Sequence, residues 1–146
     1  MEKLKLGTYF IMIMAGYILV LGFLMIFATE LLFTADFNWY TDTEYVNYYL
    51  SQQTFAEIFI VQKKIMGFML FCVGFLILII AILNYRNGIK WSWYLILISG
   101  CLVWGTFLGY PILIGYFGVD VILFIIGAAL LILGLFIPFK SFFKKK

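Results

Sequence analysis

Four stretches of this chain run for the length of a bilayer crossing without a single charged residue. Leu6 to Thr29 covers 24 positions, Ile65 to Leu83 covers 19, Trp91 to Tyr110 covers 20 and Val121 to Phe139 covers 19. At 1.5 Å of rise per helical residue, about twenty residues cross a hydrocarbon core near 30 Å. Lipid offers no partner to a backbone N–H or C=O, so each stretch is expected to be helical. The chain has 146 residues, 66% of them hydrophobic and 12% charged, and a soluble domain of that size has no interior large enough to hide so much apolar surface. The expected fold is all-α, a polytopic four-transmembrane-helix bundle forming one domain over residues 1–146. Its helices are expected near 6–33, 54–84, 91–110 and 120–139. The first run is too long for the apolar region of a cleaved signal, and no small-x-small site follows it, so it is expected as a retained helix.

The basic residues sort by side. Lys3, Lys5, Arg86, Lys90, Lys140, Lys144, Lys145 and Lys146 fall at one set of helix ends, and only Lys63 and Lys64 at the other. Cytoplasmic loops of membrane proteins carry the excess of Lys and Arg. The bias therefore predicts a multi-pass protein of the plasma (cytoplasmic) membrane with both termini cytoplasmic. The terminal "FKSFFKKK" alternates aromatic and basic character, which suits a segment lying against anionic headgroups.

The longest connection, Thr34 to Thr54, is acidic and tyrosine-rich. Tyr45, Val46, Tyr49 and Leu50 follow helical spacing, which predicts a short interfacial helix within Asp42 to Gln52. Thr54 and Glu57 have the spacing of a capping box for the second span. Glu30, Lys63, Lys64 and Asp120 are all expected near the outer boundary. An ion-pair cluster there would fix helix register, or, on a functional reading, form an entry site for ions.

Between the second and third spans lies "NYRNGIKWSWY", Asn84 to Tyr94. Asn84, Asn87 and Gly88 predict a tight turn. Arg86, Lys90, Trp91 and Trp93 are expected to anchor it at the headgroups, with Tyr85 and Tyr94 beside them. On the third span Gly105 and Gly109 form a G-x-x-x-G, the spacing that lets helix backbones approach closely in lipid. Gly67 and Gly74 on the second span, and Gly127 and Gly134 on the fourth, recur at seven residues and so return to one face. Pro111 is expected to end or kink the third span.

Several chemistries are removed by composition. The chain has no histidine, which takes away bis-histidine haem, the commonest zinc sites and the usual general base. Cys72 and Cys101 both sit in apolar runs, where a cysteine behaves as a small hydrophobe. Vitamin K epoxide reductases, claudins and tetraspanins need loop cysteines that are absent here. Small multidrug exporters carry an acid well inside the first helix, whereas Glu30 stands at its end. No cofactor, metal or nucleic acid is expected to bind.

The order of apolar helix, polar aromatic loop, "VQKKIMGFMLFCVGFLILIIAI" and "YRNGIKWSWYLIL" resembles a set of uncharacterised prokaryotic four-helix membrane proteins. These carry a basic residue and a glycine entering the second helix and a Y-R-x-G-x-x-W-x-W-Y signature after it. Lys63 or Lys64 with Gly67, and Tyr85, Arg86, Gly88, Trp91, Trp93 and Tyr94, are the matching positions, over about half the chain. The resemblance implies a fold and a prokaryotic membrane, and it brings no activity or catalytic residue.

Three functions are compatible with these features. The first is a non-catalytic accessory or scaffold subunit, held to other membrane subunits or to itself, as missing catalytic chemistry and an aromatic content of 21% favour. The second is a small oligomeric transporter or channel module, with Ser99 and Thr106 as the nearest polar groups to mid-membrane. The third is a lipid- or quinone-binding protein with a pocket between helices.

Overall fold

The computed structural model describes residues 2–31, 34, 45–113, 115 and 119–143, with the backbone alone at 45, 46, 119 and 120. Among these residues the fold is all-α. The helices are α1 (Glu2–Phe27), α2 (Tyr45–Ser51), α3 (Gln53–Ile80), α4 (Lys90–Leu113), α5 (Val119–Phe136) and α6 (Phe139–Phe143). A π turn over Ala81–Tyr85 prolongs α3. Four stretches are long and apolar enough to cross a membrane: Glu2–Phe27, Gln53–Tyr85, Lys90–Leu113 and Val121–Phe143. The protein is a multi-pass membrane protein.

The helix ends depart from the sequence reading for local reasons. Regular helix in α1 is interrupted by a bend at Ala28, after Phe27, and helix resumes at 29–31. The buried Thr29 hydroxyl donates back to the Met25 carbonyl at 2.6 Å and also reaches Ile26 at 3.1 Å. Such back-bonding by threonine bends helices. Thr54 lies inside α3, so it does not cap it. Glu57 instead accepts from Gln53 Nε2 at 3.1 Å, and the Ala56 N–H reaches the Gln52 carbonyl at 3.1 Å. Pro111 falls within α4, which ends two residues later at Leu113. A short helix does occupy Tyr45–Ser51; residues 35–44 of the long connection lie outside the described residues.

The chain divides into two compact units, residues 1–18 with 74–146, and residues 19–73. In the smaller unit, α1 and α3 meet backbone to backbone. A Cβ placed on Gly22 would stand 2.7 Å from the Gly67 carbonyl oxygen and 2.7 Å from the Phe71 nitrogen. One placed on Gly67 would stand 2.9 Å from the Gly22 oxygen and 2.7 Å from Met25 Cβ. Glycine at both positions is what lets the two helices touch where lipid supplies no hydrophobic drive.

The larger unit is organised around α5. Ile11, Met14 and Ile18 of α1, Ile77 and Ala81 of the α3 end, Ile96 and Trp104 of α4, and Leu131 and Leu135 of α5 form its buried interior. Gly100 admits the Leu131 side chain, and Gly127 admits the ring of Trp104. Gly134 admits Ile11, and Gly7 admits Pro138. Small residues on each helix receive large side chains from the next, which is how a membrane interior reaches close packing.

Candidate functional site

The turn after α3 is built by a helix-terminating motif. Gly88 adopts φ +70°, a left-handed conformation that glycine reaches without strain. The Ile89 N–H bonds the Asn84 carbonyl at 3.3 Å and the Gly88 N–H bonds the Tyr85 carbonyl at 3.0 Å, the paired bonds of a Schellman cap. Asn87 Nδ2 donates to the Leu83 carbonyl at 2.7 Å. The π turn just before it closes through the Arg86 N–H to the Ala81 carbonyl at 3.0 Å. Its pitch is wider than 3.6 residues per turn, so Ala81 and Tyr85, four apart, are both buried.

Two aromatic residues of this region do more than the sequence reading assigned them. Tyr85 is fully buried, and its hydroxyl donates to the Gly134 carbonyl at 2.6 Å. Trp93 is only 8% exposed, and its Nε1–H donates to the Leu135 carbonyl at 3.1 Å. Both side chains are turned inward onto α5, not outward as an interfacial belt residue would be. Trp91 and Tyr94, at 50% and 49% exposure, face outward as belt residues do. Arg86 and Lys90 are exposed as well.

The reason for the two inward donors lies in α5. A helix leaves its last four carbonyls without an intrahelical partner. Ile137 still bonds the Leu133 carbonyl at 3.2 Å, but the next donor, four residues beyond Gly134, would be Pro138. Proline has no N–H. An unsatisfied carbonyl is costly where water is excluded. Tyr85 and Trp93 satisfy the two carbonyls that this proline and the turn leave free. A third donor, the Tyr17 hydroxyl, reaches the Leu123 carbonyl at 3.0 Å near the other end of α5.

The terminal aromatic segment belongs to the same construction. Phe142 is buried with its ring 4.7 Å from that of Tyr85, and the rings of Phe139 and Phe143 stand 5.6 and 5.3 Å from Trp93. The aromatic side of α6 therefore folds onto the protein, while Lys140 stays exposed. Lys144 to Lys146 lie outside the described residues.

The other residues singled out in the sequence are dispersed in role. Gly67, Gly127 and Gly134 meet neighbours as described above, and Gly74 is buried. At Gly105 and Gly109 a Cβ would meet nothing within 4 Å among the described residues. That G-x-x-x-G makes no close helix contact within the described chain. Gly7 and Gly22, which do, escaped notice because their partners lie on other helices.

Of the expected outer cluster, the side chains of Glu30, Lys63 and Lys64 are described. Glu30 and Lys64 are exposed, and Glu30 has no ion-pair partner among them. Lys63 is half-buried and engaged by a neighbour. The Asp120 side chain lies outside the described residues.

The hydroxyls of Thr8, Ser99 and Thr106 are turned onto their own helices. Thr8 donates to Leu4, Ser99 to Leu95 and Thr106 to Leu102, at 2.8, 2.8 and 2.7 Å. Ser99 and Thr106 therefore direct no donor across the membrane. Trp104 Nε1 is the exception, a buried donor with no acceptor among the described residues. Cys72 and Cys101 are free, exposed thiols. No group of three or more His, Cys, Asp or Glu side chains gathers to hold a metal among the described residues. Comparison with protein-family models, with curated proteins and with solved structures gave no match.

Proposed function

We propose that this chain is a non-catalytic subunit of a larger membrane assembly, docking through the small-residue stripe of α4. One observation carries the reading. Cys101, Gly105 and Gly109 fall four residues apart, so they share a helical face, and a Cβ at either glycine meets open space. Gly22, Gly67, Gly100, Gly127 and Gly134 each receive a neighbour's side chain or backbone, whereas a Cβ at Gly16 of α1, like one at Gly105 or Gly109, meets nothing within 4 Å. Only 17% of the apolar window of α4 is buried, the smallest share among the four spans. A notch of small residues facing out of the chain suits a helix from another subunit, or from a second copy, better than it suits fluid acyl chains. The eight-to-two bias of basic residues supports a topology with both termini in the cytoplasm.

Cys101 supplies the test, because it is an exposed native thiol on the proposed face. Bismaleimide treatment of membranes carrying a Cys72→Ser variant is expected to trap a cross-linked species through Cys101, its mass giving the partner. Gly109→Leu is expected to abolish it and to release the chain as a monomer in mild detergent. A chain that purifies alone, cross-links to nothing and is unmoved by Gly109→Leu would refute the reading.

A further inference from the structure

Where α1 begins and α3 turns into α4, a cavity of about 180 Å³ is lined by Lys5, Thr8, Tyr9, Met12 and Arg86. We propose that this cavity is a binding site for the phosphate of an anionic glycerophospholipid of the surrounding bilayer.

Its walls come from two places in the sequence. Lys5, Tyr9 and Met12 are spaced i, i+4, i+7 and so lie along one face of α1. Arg86 comes from the Schellman turn, and Gly88 of that turn packs against Leu4, with Leu4 Cδ2 3.4 Å from where a Cβ would stand. The turn thus meets the start of α1, and Arg86 and Lys5 line one cavity there.

Among the described residues the charge of the cavity is uncompensated. Two cations line it and no carboxylate does. Neither Lys5 nor Arg86 has an ion-pair partner among the described residues. Two like charges sharing one recess favour an anion between them. A guanidinium offers a planar fork that matches phosphate oxygens, and an ammonium adds a compact point charge. The Thr8 hydroxyl is already donated to Leu4, but Tyr9, 62% exposed, has a phenol with no partner among the described residues.

Depth selects the source of the phosphate. Lys5 immediately precedes the uncharged run of α1, and Arg86 follows the span that ends at Tyr85. Both therefore stand at the hydrocarbon boundary, where lipid phosphates lie. Met12 and the ring of Tyr9 continue the cavity along α1 toward the hydrocarbon, an apolar wall for an acyl chain and of no use to a free anion.

Native mass spectrometry of the detergent-solubilised protein, offered dioleoyl phosphatidylglycerol and dioleoyl phosphatidylcholine in equal amounts, tests the assignment. Phosphatidylglycerol is expected to be retained preferentially. Lys5→Gln and Arg86→Gln should each weaken that preference about fivefold, the worth of one basic residue near an anionic surface. Lys140→Gln, an exposed lysine outside the cavity, should leave it unchanged. Arg86 belongs to a turn that shapes the fold, so Lys5→Gln decides the matter: its loss of preference supports the site, and retention overturns it. An equal effect from Lys140→Gln would mean diffuse surface charge and would also overturn it. So would a rise in melting temperature with inorganic phosphate alone that matched the rise with phosphatidylglycerol, since the pocket would then hold a free anion.

Discussion

The Tyr85 hydroxyl stands 2.6 Å from the Gly134 carbonyl oxygen, and Gly134 is the residue whose helical donor would have been the N–H that Pro138 lacks. A bulky aromatic on one helix thus completes the hydrogen bonding of another, 49 residues away. Trp93 does the same for the adjacent Leu135 carbonyl. The end of α5 is capped by side chains of the turn and of α4, so the fold of one segment depends on the identity of another.

Tyr85→Phe keeps the ring packed on Phe142 and removes only the hydroxyl, leaving the Gly134 carbonyl buried without a donor. A loss of about 1–2 kcal/mol is expected. Trp91→Phe, at a half-exposed site, should stay within about 0.5 kcal/mol of the parent. Thermal unfolding in one detergent checks both. If Tyr85→Phe were as mild as Trp91→Phe, the cap would contribute nothing to stability.

Trp93 and Trp104 form a matched pair. Both indoles are buried, at 8% and 3% exposure, but among the described residues only Trp93 donates its N–H. Replacing each by Phe removes the same atoms, so the packing losses are of similar kind. Trp93→Phe should cost about 1 kcal/mol more, because it alone breaks a hydrogen bond. In amide NMR of protein labelled at tryptophan nitrogen, the Trp93 indole proton is expected downfield of that of Trp104. The reverse order would show that the donor at Trp104 has found an acceptor.

The four spans were legible because absence of charge over about twenty residues has one physical outcome in lipid. The turn was legible because Asn and Gly stop a helix in a known way, and Gly88 indeed adopts a positive φ. The roles of Tyr85 and Trp93 were not. An aromatic at a span end suits the headgroup belt and an inward cap equally well, and periodicity does not separate the two. The available clue was Pro138, four residues after Gly134, which announces a carbonyl in need of a donor. Gly105 and Gly109 drew attention because their spacing is local to one helix. The close contact of Gly22 with Gly67 joins two helices, and a single sequence carries no mark of it.

That contact is testable by adding one methyl group. Gly22→Ala and Gly67→Ala each put a Cβ within 2.7–2.9 Å of the opposing helix backbone, too close for either helix to stay in place. Separation of α1 and α3 is expected to cost about 1–3 kcal/mol. Gly105→Ala meets open space and should leave the stability of the isolated chain equal or slightly higher, because alanine favours helix. Melting of the three variants under one condition separates the cases. Equal tolerance at all three sites would mean that the α1–α3 crossing is looser than the backbone contact implies.

Orientation in the membrane gives the last test. Eight basic residues fall at one set of helix ends and two at the other, so both termini are expected in the cytoplasm and α2 outside. Ser51 ends α2 and Ser141 lies in α6, and both are exposed in the fold, so a cysteine at either would be open to reagent. In a chain with Cys72→Ser and Cys101→Ser, Ser51→Cys is expected to react with an impermeant maleimide in sealed right-side-out vesicles. Ser141→Cys should react only after the vesicles are opened. The basic residues that set this arrangement include Lys5 and Arg86, which also line the proposed lipid site, and the two roles separate by experiment. Lys5→Gln leaves seven basic residues on the expected cytoplasmic side against two opposite, so the labelling pattern should be unchanged while the lipid preference falls. Reversed labelling of Ser51→Cys and Ser141→Cys in the otherwise unaltered chain would place the basic ends outside and overturn the topology.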